Sequence, residues 1–417
     1  LPILKSFLAV WLAYWALQVV LPVRPAGDAV IWGLLLQIAF VLSVTCAFAL
    51  TEFCAGKHSH QVRWKADGLL IKLALILSLV GTLALIYDKI IVQGIDYSAG
   101  LAYAREQWRR AGELRGEGVS SIGSILGYLI GSSYIIAIIL LPSSAFRPAQ
   151  KALIGAAAFA LALVNTLLTG GRSTLILAVL FYLVARIFNG SEERGSGEDA
   201  LLTRKSKLLT MILVVLSGCY FLYIFLARAE ATGISVTEYS HAILAHLGLM
   251  PTDWLLNLPA NSMLTSVVNL LTMGAAYFTH SFSTTVSIFD YGPQHNEATV
   301  VFVTAASMAS RLRLIPPVDT DWFLTGLFPS FPGALYLQGG WGVLVLAGFA
   351  AGMLTGLAHL WFRKAPSILS FGLLSAFGCI LLASPILFAA DVMMFPFIIP
   401  QFFLVYIIAK LITAWRK

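Results

Sequence analysis

Charge is what this sequence has least of. Of its 417 residues only 11% are Asp, Glu, Lys or Arg, while 59% are hydrophobic, and the mean hydropathy is +0.86. A water-soluble domain of this size needs far more charge on its surface, so a soluble fold is excluded. Cysteine is equally scarce. Cys46, Cys54, Cys219 and Cys379 lie in or beside apolar blocks, and none falls in a C-x-x-C spacing. That argues against a zinc site and against a disulfide framework. Short alternating apolar segments are lacking too, which excludes a transmembrane β-barrel.

What is present is a series of apolar blocks of span length. Blocks of about 20 apolar residues read as helices crossing the hydrocarbon core. They fall near 3–21, 29–52, 68–91, 121–141, 151–169, 173–189, 208–228, 335–361, 367–388 and 394–413. The first is too long for a signal-peptide core and has no small-residue cleavage site before Pro22, so it is expected to be a retained span. The expected fold is an all-α polytopic membrane protein with about ten transmembrane helices, or about twelve if two further segments cross. The whole chain, 1–417, reads as one integral membrane domain.

The connections alternate sides. One side receives both termini and the loops near 53–67, 142–150, 189–207 and 362–366, and it carries 17 of the 27 Lys and Arg residues. The positive-inside rule makes that side cytoplasmic. The net charge of +7 is therefore a topology signal, and no nucleic-acid partner is implied. The segment 189–207, with Gly, Ser and mixed charges, reads as a cytoplasmic linker.

The outer side holds Arg24, Lys89, Arg105, Arg109, Arg110, Arg115, Arg172, Arg228, Arg311 and Arg313, so nine of its ten cations are Arg. Topology needs only charge, whereas Arg is selected where a planar fork grips phosphate or carboxylate. This points to a polyanionic ligand. Four of the nine lie in the loop 92–120, where Tyr97, Leu101, Ala104 and Trp108 make an apolar stripe and Glu106–Arg110 and Arg109–Glu113 are i,i+4 pairs. A bilayer-surface helix laced with salt bridges explains those four without a ligand.

The long outer segment 229–334 is not simply polar. Residues 263–289 are apolar but studded with Ser, Thr and Asn, and 298–309 are apolar but too short to span. Both either cross or dip in and return. Non-helical backbone at membrane depth is tolerated only where it lines protein or a water-filled cavity, so an outward cavity is expected there.

Three places could carry chemistry. In Thr169-Gly170-Gly171-Arg172-Ser173-Thr174 two spans meet with almost no loop. The glycines allow the reversal, and Arg172 stands beside the free N–H groups of the next helix, which together suit an anion; the alternative is a headgroup anchor. Arg228 ends the seventh span, either facing the same cavity or pairing with Glu230, and Arg311 and Arg313 share a side if their stretch is extended. Finally, Tyr277-Phe278-Thr279-His280-Ser281-Phe282 precedes Asp290. His280 is a candidate general base or a packing histidine, with Asp290, His295 and Glu297 as competing bases. A partly buried carboxylate there would have its pKa raised toward a useful value.

Together Thr169-Gly-Gly-Arg172-Ser-Thr, Tyr277-Phe-Thr-His280 with Phe289-Asp290, and Thr320-Asp-Trp-Phe-Leu-Thr325 running into Gly339-Gly340-Trp341-Gly342 resemble the O-antigen polymerase family, the Wzy-type oligosaccharide repeat-unit polymerases. Asp321 stands where the family often has Asn, and Ser281 where it has Gly. The resemblance implies a glycosyltransferase of the bacterial inner membrane working on its periplasmic face without a cofactor or metal. Its donor is a growing glycan on undecaprenyl diphosphate, and its acceptor is a lipid-linked repeat unit. It also implies a chain-length regulator protein as partner. Arg172, Arg228, Arg311 and Arg313 would bind the diphosphate, and His280, Asp290 or Glu297 would take the acceptor proton. The rival readings are an O-antigen ligase, which shares the donor, and a lipid-linked sugar flippase or secondary transporter. Transporters usually carry ionisable groups within their spans or two related halves, and neither is legible here.

Overall fold

A computed structural model describes residues 2–56, 64–98, 100, 103–104, 107, 122–169, 173–189, 211, 215, 218–219, 222–230, 232–259, 262–292, 299–311, 314–319, 324, 327–392 and 395–415. The described residues are overwhelmingly helical. In chain order the helices are α1 (Pro2–Val20), α2 (Val30–Cys54), α3 (Gly68–Ile86), α4 (Ile122–Gly131), α5 (Tyr134–Leu140), α6 (Pro148–Thr169) and α7 (Ser173–Asn189). They continue with α8 at 222–230, α9 (Val236–His246), α10 (Met263–Tyr291), α11 (Val303–Arg311), α12 (Phe331–Lys364), α13 (Ile368–Ala383) and α14 (Phe395–Trp415).

Six of these helices are long and apolar enough to cross a membrane: α1, α2, α3 with its extension to Val92, α6, α12 and α14. They present Leu12, Val19, Ile31, Leu346 and Leu411 outward, each more than half exposed. Large apolar side chains facing outward along a long helix suit lipid, not water. The protein is therefore an all-α membrane-embedded protein. Two expected spans are shorter than the hydropathy implied, while the 173–189 block matches α7 end to end. The 121–141 block is broken at Ser132 and Ser133 into α4 and α5, and α13 stops at Ala383. Pro385 follows two residues later, which no helix continues through easily. About half of the seventh expected span, and all of the 189–207 linker after Asn189, fall outside the described residues.

The helix array has two ends, each tied by contacts between loops. At one end β1 (Val23–Pro25) pairs antiparallel with β2 (Leu249–Pro251), and the Tyr97 hydroxyl donates to the Leu168 carbonyl at 2.7 Å. Burial and the Asp88 carboxylate push that phenol up to about 12. At the other end Ala66 bridges Ser144, and Glu52 of α2 meets His359 and Arg363 of α12 at 2.6 and 3.4 Å.

The most extensively packed helix pair among the described residues is α2 with α12, and small residues make it so. Gly348, Gly352 and Gly356 recur every four residues on one face of α12. A Cβ at Gly352 would stand 2.3 Å from the Val44 carbonyl oxygen, and one at Gly348 3.1 Å from the Phe40 ring. Small residues at this spacing let backbones approach where lipid offers no hydrophobic drive. The same helix breaks near its start. Gly340 takes φ 66 and ψ −159, a conformation that a side chain would oppose. The short leading half, from Phe331 to Gln338, thus runs separately from the long trailing half.

Candidate functional site

Helix α10 is continuous for 29 residues, about 43 Å, yet it carries Thr279, His280, Ser281, Ser283, Thr284 and Thr285 in buried positions. Such groups are costly in an apolar interior unless bonded. Several turn back on their own helix: Thr284 donates to the His280 carbonyl at 3.1 Å and Thr285 to the Ser281 carbonyl at 2.6 Å. Others reach out. Ser281 donates to the Pro385 carbonyl at 2.6 Å. That uses its only proton, so the 2.6 Å contact with the Tyr14 hydroxyl has Tyr14 as donor. By the same logic Ser330 donates to Thr285 across 2.8 Å, while its oxygen accepts from the Gly333 N–H and caps the leading half of α12. Trp11 donates to Ser384 just past α13, and Ser283 donates to the Gly248 carbonyl.

One hydrogen-bonded chain therefore joins the middle of α1, the second half of α10, the start of α12 and the end of α13. Beside it Gln37 of α2 is fully buried. Its Oε1 accepts from Trp15, whereas its Nε2 has no protein partner. An aromatic row closes this region: Trp32 stacks on Phe289, Phe289 on Tyr336, and Trp341 meets Tyr336 edge-on.

His280 lies within this polar stretch, 1% exposed. Its Nδ1 is 2.6 Å from the Tyr277 carbonyl oxygen. A carbonyl only accepts, so Nδ1 holds the proton and, in the neutral ring, Nε2 holds the lone pair. The imidazole is fixed in the tautomer a base at Nε2 requires. Its ring touches Tyr277, and Tyr277 touches Phe225 of α8. Half-buried Arg228 stands one turn beyond Phe225. The structure packs α8, which carries Arg228, against the stretch of α10 that leads into His280.

Asp290 does not join them. It lies ten residues along the same helix, about 15 Å away. It is exposed rather than partly buried, on the last turn of α10. Its Oδ2 would meet a Cβ at Gly27 at 2.5 Å, so it packs over the α1–α2 connection. Residue 311 is helical, the last of α11, and not part of an extended stretch; the apolar run before it forms a helix that begins at Val303. Arg172, Arg313, His295, Glu297 and Asp321 lie outside the described residues, as do most of the outer loop arginines and the Arg311 side chain. Leu168, just before residues 170–172, is held by Tyr97.

Sequence reasoning missed several residues here. Trp11, Tyr14 and Gln37 sat inside apolar blocks counted only for hydropathy; a polar or amphipathic residue in mid-span was the available signal. Asp391 was passed over as part of a short connection, although it is an acidic residue between two apolar runs. Among the described residues no group of three or more His, Cys, Asp or Glu stands close enough to hold a metal ion. No family model, no curated protein and no solved structure matches the chain.

Proposed function

We propose that this protein is a membrane glycosyltransferase that lengthens a glycan carried on a polyprenyl diphosphate, as an O-antigen-type polymerase does on the periplasmic face of the inner membrane. The observation that carries the reading is His280, buried in the polar half of α10 beside its packing with α8 and fixed with Nε2 as its basic nitrogen. The acceptor hydroxyl oxygen attacks the anomeric carbon of the donor. The bond from that carbon to the diphosphate oxygen breaks, and the hydroxyl proton passes to Nε2. Negative charge gathers on the departing diphosphate. Guanidinium groups at 172, 228 and the 311–313 pair would stabilise it in a site of low dielectric. The end of the array that holds β1, β2, Tyr97 and Leu168 is assigned to the outside by the Arg and Lys distribution.

Reconstitution in vesicles with synthetic lipid-linked repeat units tests this. Wild-type protein is expected to give a ladder of lengthened products, and Arg172→Ala to give none while still inserting and folding. Full ladders from that variant would remove Arg172 from the site. A ligase would instead pass the glycan to lipid A–core. Cells lacking a polymerase carry core capped with one repeat unit, whereas cells lacking a ligase carry bare core. The break in α12 at Gly339 and Gly340 favours transport as the second reading, because discontinuous helices recur in transporters. Movement of lipid-linked sugar across the vesicle without elongation would decide for it.

A further inference from the structure

Between α13 and α14 the chain makes one 3-10 turn, Ala389–Asp391. It packs against the start of α11. The Asp391 carboxyl lies against the backbone N–H groups of Phe302 and Val303, the two residues that open that helix. Phe302 has φ 59, the only positive φ at a non-glycine among the described residues. A bulky residue holds this conformation only where its surroundings over-determine it. Two contacts do so here. The carboxyl lies against the N–H that this backbone angle presents, and the Phe302 ring sits edge-on to Phe388 at 4.9 Å. Phe388 in turn stacks on Phe331 at 4.1 Å, at the start of α12 beside Ser330. Gln338 at the end of the leading half of α12 completes the seat, accepting from the Val300 N–H at 2.9 Å. All these contacts converge on the entry to α11, and the last residue of α11 is Arg311.

We propose that Asp391 is a positioning residue of the outward-facing end: its carboxyl seats the first turn of α11 and so fixes where that helix, which ends at residue 311, begins. An effect on elongation rests on the polymerase reading; the seat itself does not. Burial pushes the Asp391 carboxyl up to about 7, and the two N–H groups pull it only part of the way back. A solvated Asp titrates near its ordinary value of about 3.9. The seated form therefore binds the proton more tightly than a released, hydrated form. The seat is fully held only below about pH 4, weakens steadily as pH rises from there, and reaches its loosest state just above about pH 7. Other ionisable groups on the elements packed against this turn are few. α11 brings Arg311, two turns past Val303; α13 brings Cys379; α14 brings Tyr406 and Lys410, three or more turns from its start; and Asp319 accepts the Thr299 N–H through its backbone carbonyl.

Two measurements on the full-length protein in nanodiscs test the seat. The first is the protection of the Phe302 and Val303 amides from hydrogen exchange, corrected for the intrinsic rate at each pH. Wild-type protection is expected to fall about tenfold or more between pH 6 and pH 8.5. Asp391→Asn, a neutral acceptor of the same shape, is expected to stay protected at both, and Asp391→Ala at neither. The second is elongation of lipid-linked repeat units. Asp391→Asn is expected to keep kcat and lose the pH step, while Asp391→Ala lowers kcat about tenfold. Equal wild-type protection at both pH values, or the same step in Asp391→Asn, overturns the proposal. A wild-type protein that shows the exchange step but never elongates would instead refute the polymerase reading and leave the seat standing.

Discussion

The α2–α12 pair and the second half of α10 are both tightly buried, but they are built from opposite materials. The α2–α12 contact is made of glycine and apolar side chains, close enough that a Cβ at Gly352 would strike the Val44 backbone. Its only ionic feature is at one end, where Glu52 meets His359 and Arg363. The second half of α10 buries five hydroxyls and an imidazole in a row. Burying hydroxyls gains little over burying methyl groups, because each bond inside replaces one to water. Close packing without polar groups is the cheaper way to join helices. A region that departs from it, and fixes a histidine tautomer while doing so, is where function is expected.

Substitutions in the two regions should therefore separate stability from activity. The largest effect expected is on turnover: His280→Gln removes the base and should lower elongation by about 10²–10⁴-fold. Detergent-solubilised melting of that variant should stay close to wild type; a large loss of melting temperature would mark His280 as a packing residue. Next comes Gly352→Val, which forces α2 and α12 apart and should cost about 1–3 kcal/mol. Urea or thermal unfolding measures this, and elongation per folded molecule should be unchanged. An unaltered unfolding curve would show that the helices do not meet as described. Smallest is Glu52→Gln. His359 is buried and only Arg363 is partly exposed; Gln keeps the shape and an acceptor oxygen, so the loss should be about 1–2 kcal/mol. A marked fall in elongation from this variant would mean that the two ends are coupled, contrary to the division drawn here.

Much of this was legible in the amino-acid order, for reasons of solvent. Long apolar runs have few fates, so α1, α2, α3, α6, α12 and α14 could be placed from hydropathy alone. The stretch 263–289 could be singled out because Ser, Thr and Asn interrupt an otherwise apolar run. Where the reading stopped was at backbone geometry. Gly339 and Gly340 stood out as residues, but a hydropathy window runs straight through them, so the 335–361 span concealed a break. The π-helical turn Tyr87–Val92, which follows α3 and buries Asp88 and Lys89, has no sequence signature at all. His280 was identifiable, but its tautomer was not, because that depends on one carbonyl three residues back. Asp290 and His280 looked like partners by proximity in sequence; ten residues of helix keep them apart. Asp391 needed the fold, since its partners lie some ninety residues earlier.

The central claim is that cationic side chains at the outward end hold a lipid diphosphate beside His280. It is tested most directly by photocrosslinking with a short-chain polyprenyl diphosphate bearing its reactive group next to the phosphates. The label is expected in 168–173, 222–230 and 303–313, and unlabelled undecaprenyl diphosphate should compete it away while the monophosphate competes poorly. Label confined to the lipid-facing sides of α1 or α14, or label that the diphosphate does not displace, would contradict the account.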